Sequence, residues 1–235
     1  MRFALSILAV LLFACPIMAQ ESPVTYCAPP VLGATQIKEK TAGYSIDVKY
    51  PTMCSATATR IIRDRITGDL AAFKMEFPEH DLSEYPRTHE MMTDFNVWSA
   101  AGGRIASVQM QVMVYTGGAH PNNWPLTWVF DLANGETLGL SDIFANHEAA
   151  LDAIAPMVRD VLRASMTDMF VEDMMLGGTE PTEKNYEDCI LTNEGVVFFF
   201  APYQVGPYAA GQQVVTIPWD RIVLLLTPEL RKMFH

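Results

Sequence analysis

Tyr44, Ile46, Val48 and Tyr50 alternate with Ser45, Asp47 and Lys49. That period of two belongs to a strand with one buried and one wet face. Thr41-Ala42-Gly43 turns the chain back on residues 36–40, and Pro51 is expected to stop the strand because proline cannot donate to a ladder. Ile62, Ile66, Leu70, Phe73 and Phe77 then recur at steps of three and four. They form one stripe of a helix over about residues 56–77, with Arg60, Arg63, Asp64, Arg65 and Asp69 largely outside it. Pro78 ends that run. From Met91 the period returns to two: residues 95–100 form one strand, and Ala106, Val108, Met110, Val112 and Val114 mark the next, with Gly102-Gly103 as the turn between them. Trp124, Leu126, Trp128 and Phe130 alternate again, and Asn134-Gly135 predicts a hairpin returning through residues 136–140.

Asn146 is placed to cap a second helix over about residues 146–170. Its apolar stripe is Leu151, Ile154, Val158, Val161, Leu162 and Met169, and Pro156 predicts a kink or a late start. Residues 174–188, rich in Gly, Thr, Glu and Asp, read as a loop. Strands are expected at 196–200 and 213–217, then a short helix over 218–226 and a last turn capped by Thr227 before Pro228. The order ββα-ββββ-αββα predicts an α+β fold, with mostly antiparallel sheet packed on two main helices. The chain divides into a segment at 20–34, an N-terminal lobe at 35–115 and a C-terminal lobe at 116–235, with nothing to stop the lobes sharing one sheet.

At 235 residues and 50% hydrophobic, the chain is too apolar for a disordered protein and suits one large domain or two small ones. The apolar residues come in short patterned runs, which excludes collagen, coiled coil and a multi-span membrane protein. The net charge of −11 argues against nucleic acid, which needs a basic footprint.

Arg2, the apolar run at 3–14 and Ile17-Met18-Ala19 read as a secretory signal peptide at 1–19. The run falls short of the roughly 20 residues needed to span a bilayer, so no lasting membrane span is expected. An uncleaved anchor, or a lipoprotein cut before Cys15, are the alternatives, and Phe13 is bulky for the latter. A periplasmic or secreted protein follows. There, Cys27 and Cys54 flank the first hairpin at one end, which predicts a Cys27–Cys54 disulfide worth about 3 kcal/mol and leaves Cys189 a lone thiol.

No nucleophile elbow, phosphate loop or dinucleotide fingerprint is present, and no cofactor is implied. His80, His89, His120, His147 and His235 contain no i, i+4 pair. Glu79-His80-Asp81 and His89-Glu90 share one polar connection, which reads as a solvated acidic loop ahead of a loose metal site. Two stretches stand out. In Tyr115-Thr116-Gly117-Gly118-Ala119-His120-Pro121-Asn122-Asn123, a histidine sits on a glycine-hinged loop between two strands. It suits a ligand loop or a general base. The plainer alternative, a turn locked by its histidine, takes precedence because no carboxylate or nucleophile can be assigned to His120. Residues 202–211 carry Tyr203, Gln204 and Tyr208, whose flat rings and hydroxyls suit sugar or protein contacts as well as core plugging.

The strings YTGGAHPN, FDLANGETLGLSDIF and FFFAPYQVGPYAAG…VVTIPWDRI occur in this order. Together they resemble the extracellular domain family of unknown function found in RsiV-type anti-sigma factors. The same domain accompanies PdaC-type peptidoglycan deacetylases, outside their catalytic part. The paired strand ending Tyr50-Pro51, followed by an amphipathic helix, resembles the companion domain that precedes it. The resemblance spans about residues 36–226. It implies an α+β fold outside the cytoplasmic membrane and, in RsiV-type members, lysozyme binding. A sigma-binding segment and a deacetylase part are not expected here, so recognition of a cell-wall enzyme or of the wall itself is what carries over. An acidic chain steers towards a cationic partner such as lysozyme.

The reading is an exported cell-envelope binding module for a lysozyme-like protein or peptidoglycan. His120 is its foremost site residue, with Asn122, Tyr203, Gln204 and Tyr208. An envelope hydrolase using His120 as base and a purely structural envelope protein are the rivals. The binding reading requires the loops at 117–120 and 203–208 to meet on one water-facing surface.

Overall fold

The structure, a computed structural model, describes residues 26, 29–77, 81–82 and 84–234. Strands β1 (Val31–Lys40) and β2 (Tyr44–Met53) pair antiparallel. Thr41 Oγ1 tightens their turn by accepting from the N–H groups of Gly43 and Tyr44. The helix α1 (Ala56–Glu76) is capped by Ser55, whose side chain accepts from Ala58 N. It carries the chain over to β3 (His89–Ala100), which pairs parallel to β2 over Tyr44–Val48. The strands β4 (Ile105–Tyr115), β5 (Asn122–Asp131) and the short β6 (Glu136–Thr137) follow antiparallel, giving a six-stranded sheet in sequence order. The sheet therefore continues past residue 115 into the C-terminal half.

One face of this sheet lies under α1. Ile46, Val48, Met91, Val108, Met110 and Val112 are buried there against Ala58, Ile62, Ile66, Leu70 and Phe73. Burying each large side chain is worth about 2 kcal/mol, which is why the three-and-four stripe read from the sequence becomes the helix's inner face.

The second half begins with α2 (Leu140–Ile143) and α3 (His147–Ser165), the latter capped by Asn146 accepting from Ala149 N. Then come α4 (Glu172–Gly178), α5 (Glu183–Tyr186) and a three-stranded antiparallel sheet of β7 (Cys189–Leu191), β8 (Gly195–Phe200) and β9 (Gln213–Pro218). The chain closes with α6 (Trp219–Ile222) and α7 (Pro228–Met233). Leu151, Ile154, Val158 and Leu162 of α3 pack on Val196, Phe198 and Phe200 of β8. Ile105 and Val129, from the far face of the large sheet, join this second core. Ser107 Oγ bridges the lobes, donating to Leu191 O at 2.8 Å and accepting from Leu191 N at 3.0 Å. Arg104 forks onto Asp131 and also reaches Glu229 of α7. The fold is mixed α+β, with two helices, α1 and α3, carrying the main packing.

Several local expectations are corrected. The strand β2 runs through Pro51, which faces Ala34 of β1, because β3 no longer pairs beyond Val48 and the missing N–H costs no ladder bond. The Asn134-Gly135 turn is a four-residue connection between β5 and β6, with Gly135 at φ 75°. The second helix ends at Ser165, so Met169 is exposed, and Val161 also faces outward. That helix starts at His147 and contains Pro156 within its length. Residues 174–188 are largely ordered as α4 and α5, leading into β7. Thr227 Oγ1 donates to Asp142 O instead of capping α7.

Met1 to Ala19, Cys15, Cys27, Glu79 and His80 lie outside the described residues, so the signal peptide, the Cys27–Cys54 bridge and part of the polar connection do too. Cys189 is a free, buried cysteine. Among the described residues no helix is long and apolar enough to cross a membrane.

Candidate binding site

The connection from β4 to β5 folds tightly. Gly117 takes φ 86°, a left-handed backbone that glycine adopts without strain. The Tyr115 hydroxyl donates to Gly118 O and accepts from Gly118 N, so the ring braces the turn. Arg87, paired with Glu90, lies over the outside of that ring at 4.2 Å.

His120 ends the turn half-buried, its ring stacked on Tyr208 at 3.6 Å and 16°. Its Nδ1 lies 3.0 Å from Pro121 O. A carbonyl only accepts, so Nδ1 carries a proton, and the tautomer this selects leaves Nε2 as the acceptor. The Tyr203 hydroxyl stands 3.3 Å from that Nε2. The Tyr208 hydroxyl accepts from Asn123 Nδ2 at 2.9 Å and donates to Pro121 O at 2.8 Å. The two loops, more than eighty positions apart in sequence, are thus joined by hydrogen bonds and a ring stack.

Tyr203 is 56% exposed and holds φ 74°, a strained backbone for a non-glycine residue that costs on the order of 1–3 kcal/mol. Gln204 imposes it. Its Oε1 accepts from Ala201 N, and its Nε2 donates to Gly178 O at 3.2 Å and Asn185 O at 3.1 Å. Gln204 therefore ties the loop to α4 and α5, with its amide group occupied by protein partners. Gly178 itself lies so close to the loop that an added Cβ would sit 1.9 Å from Gln204 O.

The structure brings His120, Tyr203 and Tyr208 together, uses Gln204 as a brace and puts Asn122 elsewhere. Asn122 is exposed on the α1 side of β5, lining a hollow of about 340 Å³ with Phe73, Phe77, Val114 and Trp124. Asn123, its neighbour, joins the cluster instead. Strand parity could have separated them, since adjacent residues of a strand face opposite sides. Among the described residues no carboxylate or nucleophilic hydroxyl other than tyrosine is bonded to His120. The cluster offers flat rings, one exposed hydroxyl and one basic nitrogen, a set suited to stacking on a sugar or peptide.

Near the lobe junction, Asp188 accepts weakly from Thr127 at 3.4 Å. Burial, with the adjacent Glu187 charge, pushes its carboxyl up to about 6 against the pull of that hydrogen bond. Burial also pushes the Cys189 thiol up to about 12, so it stays protonated.

Comparison with known proteins adds two family matches. Residues 37–123 match the family described as Deacetylase PdaC, and residues 141–220 match Protein of unknown function (DUF3298). The chain is 25% identical over 228 residues to Immunogenic protein MPT64 of Mycobacterium tuberculosis, covering 93% of this chain and 95% of that one. It is 26% identical over 179 residues to Esterase Rv3036c of the same organism, covering 76% and 77%. Over 179 residues it is 22% identical to the peptidoglycan-N-acetylmuramic acid deacetylase PdaC of Bacillus subtilis, covering 76% of this chain but only 38% of that protein. A DUF3298 family protein from Pseudomonas aeruginosa superposes with a TM-score of 0.60 at 14% identity, over 86% of this chain and 96% of that one. That likeness establishes the shared fold.

Proposed function

We propose that this chain is an exported cell-envelope binding module that recognises peptidoglycan through the surface made by His120, Tyr203 and Tyr208. The observation that carries the reading is the meeting of the two loops, with His120 stacked on Tyr208 and its Nε2 facing the Tyr203 hydroxyl. The matches to a deacetylase family and to a peptidoglycan deacetylase support an envelope setting. Export by cleavage after Ala19 belongs to the same proposal, as does the Cys27–Cys54 bridge suited to an oxidising compartment.

Retention on insoluble peptidoglycan tests it. Wild-type chain is expected to sediment with the wall, and Tyr203→Ala or His120→Ala, folded normally, to lose about tenfold in affinity. Wild-type chain that stays in the supernatant ends the proposal.

The charge of −11 favours a second partner, a cationic lysozyme-like protein of the kind sensed by RsiV-type proteins. Lysozyme capture at low salt that vanishes at high salt would support it. A third reading, favoured by the esterase and deacetylase relatives, uses His120 Nε2 as a general base in an envelope hydrolase. Release of product from peptidoglycan fragments, abolished by His120→Ala, is its test.

A further inference from the structure

The second lobe covers only one end of the large sheet's far face. Strand register lays out that face in rows: Trp98 beside Ser107, Asn96 beside Gln109, Asp94 beside Gln111, Met92 beside Met113. The row of Ser107 is held under β7. Beyond it, Asn96, Asp94 and Met92 are exposed, and Gln111 and Met113 are half-buried.

Two hollows lie along these rows. One, of about 360 Å³, opens between Trp98 and the side chains of Phe199, Val214 and Thr216 on the small sheet. The other, of about 230 Å³, lies over Asp47, Lys49, Met92, Asp94 and Gln111. Asn96 and Gln109 stand between them, with Asn96 Nδ2 donating to Gln109 Oε1 at 3.4 Å. Past Met113 the next residue across is Asn123, whose amide holds the Tyr208 hydroxyl. The two hollows and the tyrosine–histidine cluster therefore lie along one face of the sheet, called here the cleft. Its floor between Trp98 and Met92 alone runs about 20 Å at the usual rise of a strand.

The lining fixes the ligand chemistry. Asn96 and Gln111 offer amide donors and acceptors together, and buried Gln109 holds Asn96 from below. Trp98, Met92 and Met113 supply apolar surface against which a methyl group or the flat side of a ring can lie. The charges nearly balance: Asp47 pairs with Lys38, and Lys49 lies close enough to act on Asp47, which leaves Asp94 here and Glu194 at the first hollow as the remaining acids. Within a chain of net −11, this face carries an excess of only one acid. An anionic ligand is disfavoured there, and an uncharged one carrying hydroxyl and acetamide groups finds amide partners at Asn96 and Gln111.

We infer that the cleft binds an uncharged, N-acetylated glycan strand several rings long, lying from Trp98 along Asn96 and Gln111 to the Tyr208–His120 end. The inference rests on the wall-binding reading above and adds its ligand class and a second set of residues.

Calorimetric titration of the full chain tests it with an N-acetylglucosamine hexamer. Cellohexaose, which lacks the acetamide, and the de-N-acetylated cationic hexamer run beside it at low and high salt. The acetylated probe is expected to bind with little salt dependence and more tightly than cellohexaose. The double substitution Asn96→Ala, Gln111→Ala is expected to weaken it tenfold or more. Met92→Arg, at an exposed position, is expected to block the floor without touching the core. Unaltered binding in both variants overturns the inference. If Tyr208→Ala alone loses the probe, wall recognition stands and the cleft falls. If only the floor variants lose it, the cleft stands and the tyrosine–histidine surface falls. Preference for the cationic hexamer, lost in high salt, overturns the inference by reducing the binding to charge attraction. Binding to none of the probes also overturns it, whatever the retention on intact wall.

Discussion

Replacing Tyr208 by phenylalanine isolates the link between the two loops. The change removes one oxygen and leaves the ring stacked on His120. Two hydrogen bonds vanish, one from Asn123 Nδ2 and one to Pro121 O. Each is worth roughly 0.5–1.5 kcal/mol net. Because Asn123 and Pro121 are half-buried, water can reach part of what is lost, so the total is set at about 2 kcal/mol. For a chain of this size that lowers Tm by about 4–8 °C.

Urea unfolding followed by circular dichroism measures it, with the midpoint falling and the slope m unchanged. Asn123→Ala removes the first of the two bonds from the other side. The double variant is therefore expected to show a coupling energy of about 1 kcal/mol with Tyr208→Phe. Tyr208→Ala also loses the ring stack, a further loss of about 1 kcal/mol. Wall retention separates the two: Tyr208→Phe keeps the flat ring and most of the binding, whereas Tyr208→Ala does not. If Tyr208→Phe and Asn123→Ala each stay within about 0.5 kcal/mol of wild type and show no coupling, the hydroxyl does not hold the loops together.

Three further outcomes are expected. Asp188 has its carboxyl pushed up to about 6 against an ordinary 3.8, so the folded chain keeps a proton that the unfolded chain releases. Stability should therefore fall as pH rises through that window and stay reduced above it. Asp188→Asn should remove the fall and gain about 3 kcal/mol at pH 7.5 by urea unfolding, and an unchanged pH profile would refute the assignment. Glu39 and Glu90, held low by hydrogen bonds from Lys74 and Arg87, act in the opposite sense, at lower pH. Gly178→Ala places a methyl group into the backbone of Gln204, so it should cost about 3 kcal/mol and reduce wall retention with it; a neutral variant would show that α4 does not position the Tyr203 loop. Thiol titration of the denatured, unreduced chain starting after Ala19 should find one reactive group, Cys189, and finding three would refute the Cys27–Cys54 bridge. Native protein should react slowly, since that thiol is buried and protonated.

The elements most legible in the sequence were those with one face of regularly spaced apolar residues. The α1 stripe and the alternation in β2, β4 and β5 each mark a face that meets a core, and the structure buries or half-buries those positions. Where a strand buried on both faces is also short, or its partners are remote, the signal disappears, whereas the buried β8 still shows as a β-branched and aromatic run. Cys189, Ile190 and Leu191 of β7 are all buried, so no period of two marks them, and their ladder begins from the hydroxyl of Ser107 in the other lobe. The short helices α4 and α5 sit in a stretch whose Gly and Thr content reads as loop, yet Thr179 there is buried and held by Arg159. The stripe of α3 was overextended because Val161 and Met169 match its spacing without facing anything.

The same logic explains the site. His120, Tyr203 and Tyr208 were visible because glycine and aromatic residues are conspicuous in a loop between two strands. The role of Gln204 was hidden because its partners are backbone carbonyls of Gly178 and Asn185, and any sequence supplies carbonyls. Asn123 was hidden behind Asn122 by a difference of one position, which only the register of β5 against β4 resolves. The cluster depends on that register: Tyr208 comes from the small sheet's loop, and Asn123 and Pro121 come from the large sheet's edge. A one-residue slip of β5 would turn Asn123 towards α1 and break the link. The surface therefore exists only once both lobes are docked. Ser107, Arg104 and Gln204 belong to its support even though each sits away from the rings.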